Sequence, residues 1–191
     1  MKRTFVVIFG VAVFLLVAAI GLKGVTNSIT QKQHVKLLET LLPNSTDFQK
    51  IDCDGEDEII RSVHKATDGY VIETVTKGYA DEIVMFIGVD NSGTVTGLVA
   101  YEAHETNGLG NQILTDHVFL SQFLNKSGTF SIATLDGDDA LGTNEKEDKK
   151  ITVDGISGAT VSSKAVVKCV NAAVAYVTGA DIESSATSWG E

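Results

Sequence analysis

The sequence predicts an α+β fold: a single extracytoplasmic domain with a central antiparallel sheet flanked by helices, preceded by one N-terminal transmembrane helix. Three observations support this. An uncharged apolar run occupies residues 5–22, strand-forming segments flank Asp90–Gly93, and apolar side chains recur at helical spacing over 162–177. We expect residues 1–25 to form the cytoplasmic N-terminus and the anchor, and residues 26–191 to form the domain.

The segment 5–22 is long enough to cross a bilayer. As a helix it spans about 27 Å, close to the thickness of the hydrocarbon core. Ala19-Ile20-Gly21 weakly resembles a cleavage site, so a cleaved signal peptide is the alternative. Lys2 and Arg3 precede the segment and favour a cytoplasmic N-terminus, although Lys23 follows it. The sequence therefore predicts a single-pass protein of the cell (inner) membrane with its soluble domain outside the cytoplasm.

The elements of the domain follow from periodicity and from turn residues. We expect a helix from Ser28 to Leu42, which Pro43 ends. Strands are predicted at 70–76, 83–89 and 94–101, and Asp90-Asn91-Ser92-Gly93 is typical of the hairpin turn between the last two. The remaining predictions are a helix over 111–124, a polar loop over 136–150, a strand over 151–153, and a helix over 162–177 that ends at Gly179.

Charge and cysteine content exclude several classes of protein. With 25 acidic and 15 basic residues the chain carries a net charge of −10, so nucleic acid is not an expected partner. Cys53 and Cys169 form no CxxC motif, and the histidines have no ligand spacing, so no metal site is expected. The acidic run 52–58 lacks the spacing of a calcium loop. We expect Cys169 to be a buried free thiol and no disulfide to form.

The segment 154–163, with the sequence DGISGATVSS, is the candidate for chemistry. It leaves a short predicted strand and enters a helix, where free N–H groups and the helix dipole favour an anion. A phosphate on the Thr160 hydroxyl would be stabilised there, and Lys164 could add a charge-assisted contact. Taken alone, a helix start rich in Ser and Thr is more often simple capping, and that alternative stays open.

This segment resembles the flavinylation motif of the FMN-binding domain family. The family includes the G subunit of the Rnf ferredoxin:NAD oxidoreductase complex and the C subunit of the sodium-pumping NADH:quinone oxidoreductase. In these proteins a flavin transferase moves FMN from FAD onto the threonine that closes the SGAT run. The resemblance implies FMN joined by a phosphoester to Thr160. It also implies that the neighbouring residues bind the cofactor or are read by the transferase: Asp154, Gly155, Ser157, Gly158, Ala159, Ser163 and Lys164.

A second segment, 104–110, resembles the ETPGLG segment that lies beside the flavin in the same family. Asn107 replaces the usual proline, which removes a rigid φ angle from the turn. A plain glycine turn between a strand and a helix is the alternative. The resemblance implies that the matching residues contact the cofactor: Glu105, Thr106, Gly108, Leu109 and Gly110.

Together the two segments imply an electron-transfer subunit with covalent FMN in a membrane-bound, ion-translocating ferredoxin:NAD oxidoreductase of the Rnf type. Such a subunit relays electrons without a catalytic residue of its own. Its expected partners are the other subunits of the redox complex, a flavin transferase during maturation, and membrane lipid along residues 5–22. The alternatives are an FMN-carrying subunit of a quinone reductase or of another extracytoplasmic flavin-based reductase, and an anchored binding domain without redox chemistry.

Overall fold

The computed structural model describes residues 33–51, 58–103, 115–133 and 150–179. The predicted anchor at 5–22, the acidic run at 52–57, Cys53, the 104–110 segment and most of the polar loop lie outside these residues. No helix in the four described ranges is long and apolar enough to span a bilayer. The chain divides into two compact units, Met1–Leu37 and Leu38–Glu191. In the first, the described residues 33–37 are helical.

The second unit begins with the end of the predicted first helix. Helix α1 covers 33–41 of the described residues, and a turn that contains Pro43 follows it, as predicted. Leu38, Leu41 and Leu42 are buried, which confirms the apolar stripe at these three positions.

A five-stranded antiparallel sheet forms the centre of the domain, which confirms the predicted α+β class with a central antiparallel sheet. The strands lie in chain order, and each pairs with its neighbours in sequence. Three of them correspond to the predicted strands, whereas the first two were not predicted. Their bounds are Gln49–Ile51 (β1), Ile60–Lys65 (β2), Gly69–Lys77 (β3), Glu82–Asp90 (β4) and Val95–Ala103 (β5).

Strand β4 is buried on both of its faces. Ile83, Met85 and Ile87 belong to the main core, together with side chains from the C-terminal helix. On the opposite face Gly88 lies so close to the main chain of Leu41 that any side chain there would collide with it. Strand β4 is therefore covered on both sides, and it is a nearly continuous apolar run.

The helix predicted over 111–124 is shorter than expected. Helix α2 covers His117–Ser121, and the Asp116 carboxylate caps it by accepting hydrogen bonds from Val118 N and Phe119 N. Beyond it, Phe123 N donates to Leu120 O, three residues back, so the chain tightens into turns. Asn125, with a φ of 58°, ends this stretch.

The C-terminal part of the domain adds a small parallel sheet and a long helix. Strands β6 (Thr129–Ile132) and β7 (Lys150–Val153) pair in parallel. The predicted polar loop over 136–150 was therefore wrong at Lys150, which begins β7, and β6 was not predicted. Helix α3 covers Thr160–Thr178, starting two residues before the predicted 162, and Gly179 ends it in the left-handed conformation as expected.

Candidate functional site

The loop between β7 and α3, residues 154–159, has a fixed shape that depends on a glycine. Ala159 N donates to Ile156 O at 2.9 Å and closes a tight turn around Ser157 and Gly158. Gly158 has a φ of 78°, which a residue with a side chain rarely adopts. The glycine of the SGAT run is therefore required by the backbone conformation of this turn.

Ser163 braces the C-terminal end of this loop from inside the domain. Its hydroxyl donates to Ala159 O at 2.9 Å and accepts a hydrogen bond from Ile156 N at 3.1 Å. The residue is completely buried. Gly155 packs beside it, and a Cβ at that position would lie 3.1 Å from Ile132 Cγ2. The predicted site residues Ser163 and Gly155 thus contribute to the shape of the loop.

Gln122, a residue outside both motifs, holds the N-terminal end of the loop. Its Nε2 donates to Asp154 O at 3.0 Å, and its Oε1 accepts from Asp154 N at 2.8 Å. The side-chain amide therefore pairs with the main chain of Asp154 as a neighbouring strand would. Sequence reasoning missed Gln122 because the two residues are 32 positions apart and no local pattern links them.

Thr160 is the first residue of α3, and its side chain is exposed. Ala159 occupies the N-cap position, and among the described residues no side chain caps the helix and no acidic residue lies in its first turn. The positive end of the helix dipole is therefore open to an anion at this point.

The remaining predicted residues divide into exposed and buried positions. Asp154, Ser157 and Gly158 are exposed, as Thr160 is. Ala159 is buried, and Lys164, one turn further along α3, is partly buried. The described residues contain no group of His, Cys, Asp or Glu side chains that could hold a metal ion. The exposed surface thus presents the Thr160 hydroxyl at a helix N-terminus, a position where an anion is favoured.

The sheet brings the end of β5 to the same side of the domain as Thr160. Along β3, Tyr70 packs against Tyr176 with ring centroids 6.0 Å apart, whereas Thr74 contacts Cys169. Helix α3 therefore runs antiparallel to β3, and its N-terminus points toward the end of the sheet where β3 finishes. Ala103, the last residue of β5, pairs with Ile83 at that same end. The 104–110 segment follows Ala103 directly in the chain and itself lies outside the described residues.

Comparisons with known proteins agree with the sequence motifs. Residues 78–175 match the FMN-binding domain family. The chain is 33% identical over 107 residues to the G subunit of the Na(+)-translocating ferredoxin:NAD(+) oxidoreductase complex of Acetobacterium woodii; this match covers 56% of the chain and about half, 47%, of that relative. It is 30% identical to the G subunit of the ion-translocating oxidoreductase complex of Methanosarcina acetivorans, covering 76% of each protein. Among solved structures, NqrC of Shewanella oneidensis is 20% identical, with a TM-score of 0.48 over 76% of this chain and 86% of that one.

Proposed function

The chain belongs to the FMN-binding domain family, and from that premise we propose that it is the FMN-carrying electron-transfer subunit of an ion-translocating ferredoxin:NAD oxidoreductase complex. The relatives from Acetobacterium and Methanosarcina, which both carry the name of the G subunit of an ion-translocating oxidoreductase complex, support the assignment. The matched region 78–175 includes both the 104–110 segment and the SGAT run.

The exposed Thr160 at an uncapped helix N-terminus is the observation that carries the cofactor assignment. A phosphodiester on its hydroxyl keeps one negative charge, which the N-terminal end of α3 stabilises. The exposed residues Ser157 and Gly158 leave space for the ribityl chain, because they have a small side chain or none. We assign Thr160 as the attachment point, with Asp154, Gly155, Ser157, Gly158, Ala159, Ser163 and Lys164 around it and Glu105, Thr106, Gly108, Leu109 and Gly110 as the second contact segment.

The attachment reaction balances with FAD as the donor. The Thr160 oxygen forms a bond to the phosphorus on the flavin side of the FAD diphosphate and loses its proton to solvent or base. The bond from that phosphorus to the bridging oxygen breaks, and AMP leaves with the oxygen. A flavin transferase supplies the catalysis, and Thr160 acts once, as the acceptor. In turnover the bound FMN supplies one-electron or two-electron transfer, and the chain holds it in place.

We propose that residues 1–25 anchor the chain through a single helix at 5–22, with the domain 26–191 on the extracytoplasmic side. The uncharged length of the segment and the position of Lys2 and Arg3 support this topology. A covalent bond suits that side of the membrane, because a dissociable cofactor released there is diluted and cannot be held by mass action. The other subunits of the complex are then the electron donor and acceptor.

The first test is flavin attachment to the full chain, co-produced with a flavin transferase and separated on a denaturing gel. We expect the wild-type band to fluoresce and the peptide with Thr160 to gain the mass of FMN less one water. Thr160→Val should abolish both signals, because valine keeps the shape but has no hydroxyl. Membranes that carry this variant should lose most of their ferredoxin-dependent NAD reduction.

Thr152→Val is the matched control, since Thr152 is an exposed threonine on β7 outside the loop. Its fluorescence should equal that of the wild type. A fluorescent band from Thr160→Val, or a wild-type band without flavin in the presence of active transferase, would refute the assignment.

A further inference from the structure

We propose that Gln122 is a positioning residue for flavin attachment: by holding the main chain of Asp154, it fixes the loop 154–159 in the shape that presents Thr160 to the transferase. This inference rests on the proposed function of Thr160. It adds a residue that belongs to neither sequence motif.

The contact between Gln122 and Asp154 is specific for the main chain. Both polar atoms of the Gln122 amide are used, at 3.0 Å to Asp154 O and 2.8 Å to Asp154 N. The Asp154 carboxylate takes no part in this pair. Gln122 therefore fixes where the loop begins, and the Asp154 side chain stays exposed.

The backbone around Gln122 is anchored in the core. It lies between Phe119 and Phe123, whose rings pack edge to face at a centroid distance of 5.4 Å. Phe123 is completely buried and also contacts Phe130, at 5.2 Å, on strand β6. The core therefore fixes the backbone on both sides of Gln122, from which its amide reaches Asp154.

The loop is thus held at both ends by different elements. Gln122 fixes its first residue from the turn after α2, and Ser163 fixes Ile156 and Ala159 from α3. The contacts that hold the loop in the conformation that exposes Thr160 are all made within the chain. Preorganisation of this kind removes an ordering cost from the binding of the transferase.

Loss of the Gln122 contact should have a distinct kinetic signature. If only a fraction of the molecules present the loop correctly, the apparent affinity of the transferase falls by that fraction. Once the correct conformation is bound, the transfer step is unchanged. A positioning role therefore predicts a raised KM for the protein acceptor and an unchanged kcat, whereas a chemical role predicts a lowered kcat.

The experiment measures initial rates of FMN transfer from FAD by a flavin transferase onto the purified full chain in detergent, over a range of acceptor concentrations. Gln122→Met removes both hydrogen bonds while keeping nearly the same length and volume. We expect it to raise KM at least about fivefold, with kcat within about a factor of two of wild type. Gln122→Ala should give the same pattern, and circular dichroism should show both variants folded.

Thr96→Val is the control for general loosening. Thr96 Oγ1 donates to Leu41 O at 2.6 Å, on the face of the sheet opposite α3. Its loss should lower the melting temperature and leave the KM for transfer at the wild-type value. The same rise of KM in Thr96→Val would overturn the inference, because global stability would then explain the effect of Gln122→Met.

Two other outcomes also decide the question. An unchanged KM in both Gln122 variants, or a lowered kcat with normal KM, contradicts a positioning role while the assignment of Thr160 stands. A wild-type chain that accepts no FMN refutes the proposed function itself, and that result is visible before any Gln122 variant is compared.

Discussion

The Cys169 side chain lies on the face of α3 that packs against β3, and it is completely buried. Burial raises the pKa of the Cys169 thiol to about 11, although a hydrogen bond with the Thr74 side chain acts in the opposite direction. The thiol is free, as expected from its position on the apolar side of the helix. Its burial and its high pKa together protect it from chemistry at neutral pH.

We expect Cys169 in the folded protein to be alkylated at least about 100-fold more slowly at about pH 8 than in the protein unfolded by guanidinium chloride. The reactive form is the thiolate, and a raised pKa makes the thiolate rare at that pH. The measurement uses iodoacetamide and mass spectrometry on a Cys53→Ser background, so that only one thiol is counted. Equal rates in the folded and unfolded protein would show that the thiol is accessible and ionised.

Residue by residue, the passage from a strand to a helix over 154–163 could be predicted, but the exposure of each hydroxyl residue within it could not. Thr160 and Ser163 are both hydroxyl residues near the start of one helix, yet the first is exposed and the second is completely buried. The difference depends on where α3 begins, because a shift of two residues turns each position by about 200° around the helix axis. Direct contact of Ser163 with the cofactor stays a prediction.

At the scale of elements, the β4–β5 hairpin is the clearest agreement between sequence and structure. The Asp90 Oδ1 atom accepts hydrogen bonds from Ser92 N, Ser92 Oγ and Thr94 N, at 2.6 to 2.8 Å. Gly93 follows with a φ of 82°. These are the properties for which Asp and Gly are selected in turns, so a local pattern was sufficient to predict the element.

Asp90→Ala should lower the free energy of unfolding by about 1 to 2 kcal/mol at neutral pH, because three donors lose their shared acceptor. Partial burial alone would raise the pKa of Asp90, but the hydrogen bonds from Ser92 and Thr94 outweigh it, so the pKa lies below its ordinary value. The carboxylate thus contributes stability that is present above the ordinary pKa. That contribution is lost as the pH falls through the lowered pKa of Asp90 in the folded protein.

Urea unfolding of Asp90→Ala and wild type, compared at neutral pH and below about pH 3, tests both statements. The difference between the two proteins should shrink at the lower pH. Asp81→Ala is the control from the neighbouring hairpin. It removes one exposed hydrogen bond, from Glu82 N to the Asp81 carboxylate, and should lower the free energy of unfolding by less than about 0.5 kcal/mol. A gap between Asp90→Ala and wild type that is constant with pH would contradict the role of the ionised carboxylate.

Strand β6, one of the strands that sequence patterns missed, depends on a distant partner. Strand β6 has four residues, and its parallel partner β7 begins at Lys150, after a long connection. A strand of this length gives no clear alternation, and a parallel pair has no hairpin turn to reveal it. Helix α2 ended early for a similar reason, since Val118, predicted on the buried face, is 77% exposed and the apolar spacing was only partly helical.

At the scale of the whole molecule, the order of helices and strands was enough to predict a central antiparallel sheet, but not how its two faces are covered. The apolar run of β4 is compatible with a buried strand in several folds. Its actual cover comes from α3 on one face and from Leu41 on the other, residues separated by more than a hundred positions in the chain. Such packing depends on the complete topology and not on any local segment.

Asn171 connects the small parallel sheet to the main core. Its Oδ1 accepts a hydrogen bond from Phe130 N at 2.8 Å, and its Nδ2 donates to Phe130 O at 2.9 Å. The side chain of α3 thus takes the place of a third strand beside β6, and it satisfies two main-chain groups that water cannot reach. Because α3 also packs against β3 and β4, this amide joins the two sheets of the domain through one helix.

Asn171→Ala should therefore destabilise the domain by about 2 to 4 kcal/mol, since it leaves the buried N–H and C=O of Phe130 without partners. The measurement is the urea midpoint by circular dichroism, with an unchanged slope as the sign that the domain still unfolds as one unit. Asn91→Ala is the matched control, because Asn91 makes one exposed hydrogen bond of 3.3 Å to Thr67 O and should cost less than about 0.5 kcal/mol. If Asn171→Ala cost no more than this control, the parallel sheet would not depend on α3 for its stability, and the amide pair would be a consequence of the packing instead of a cause.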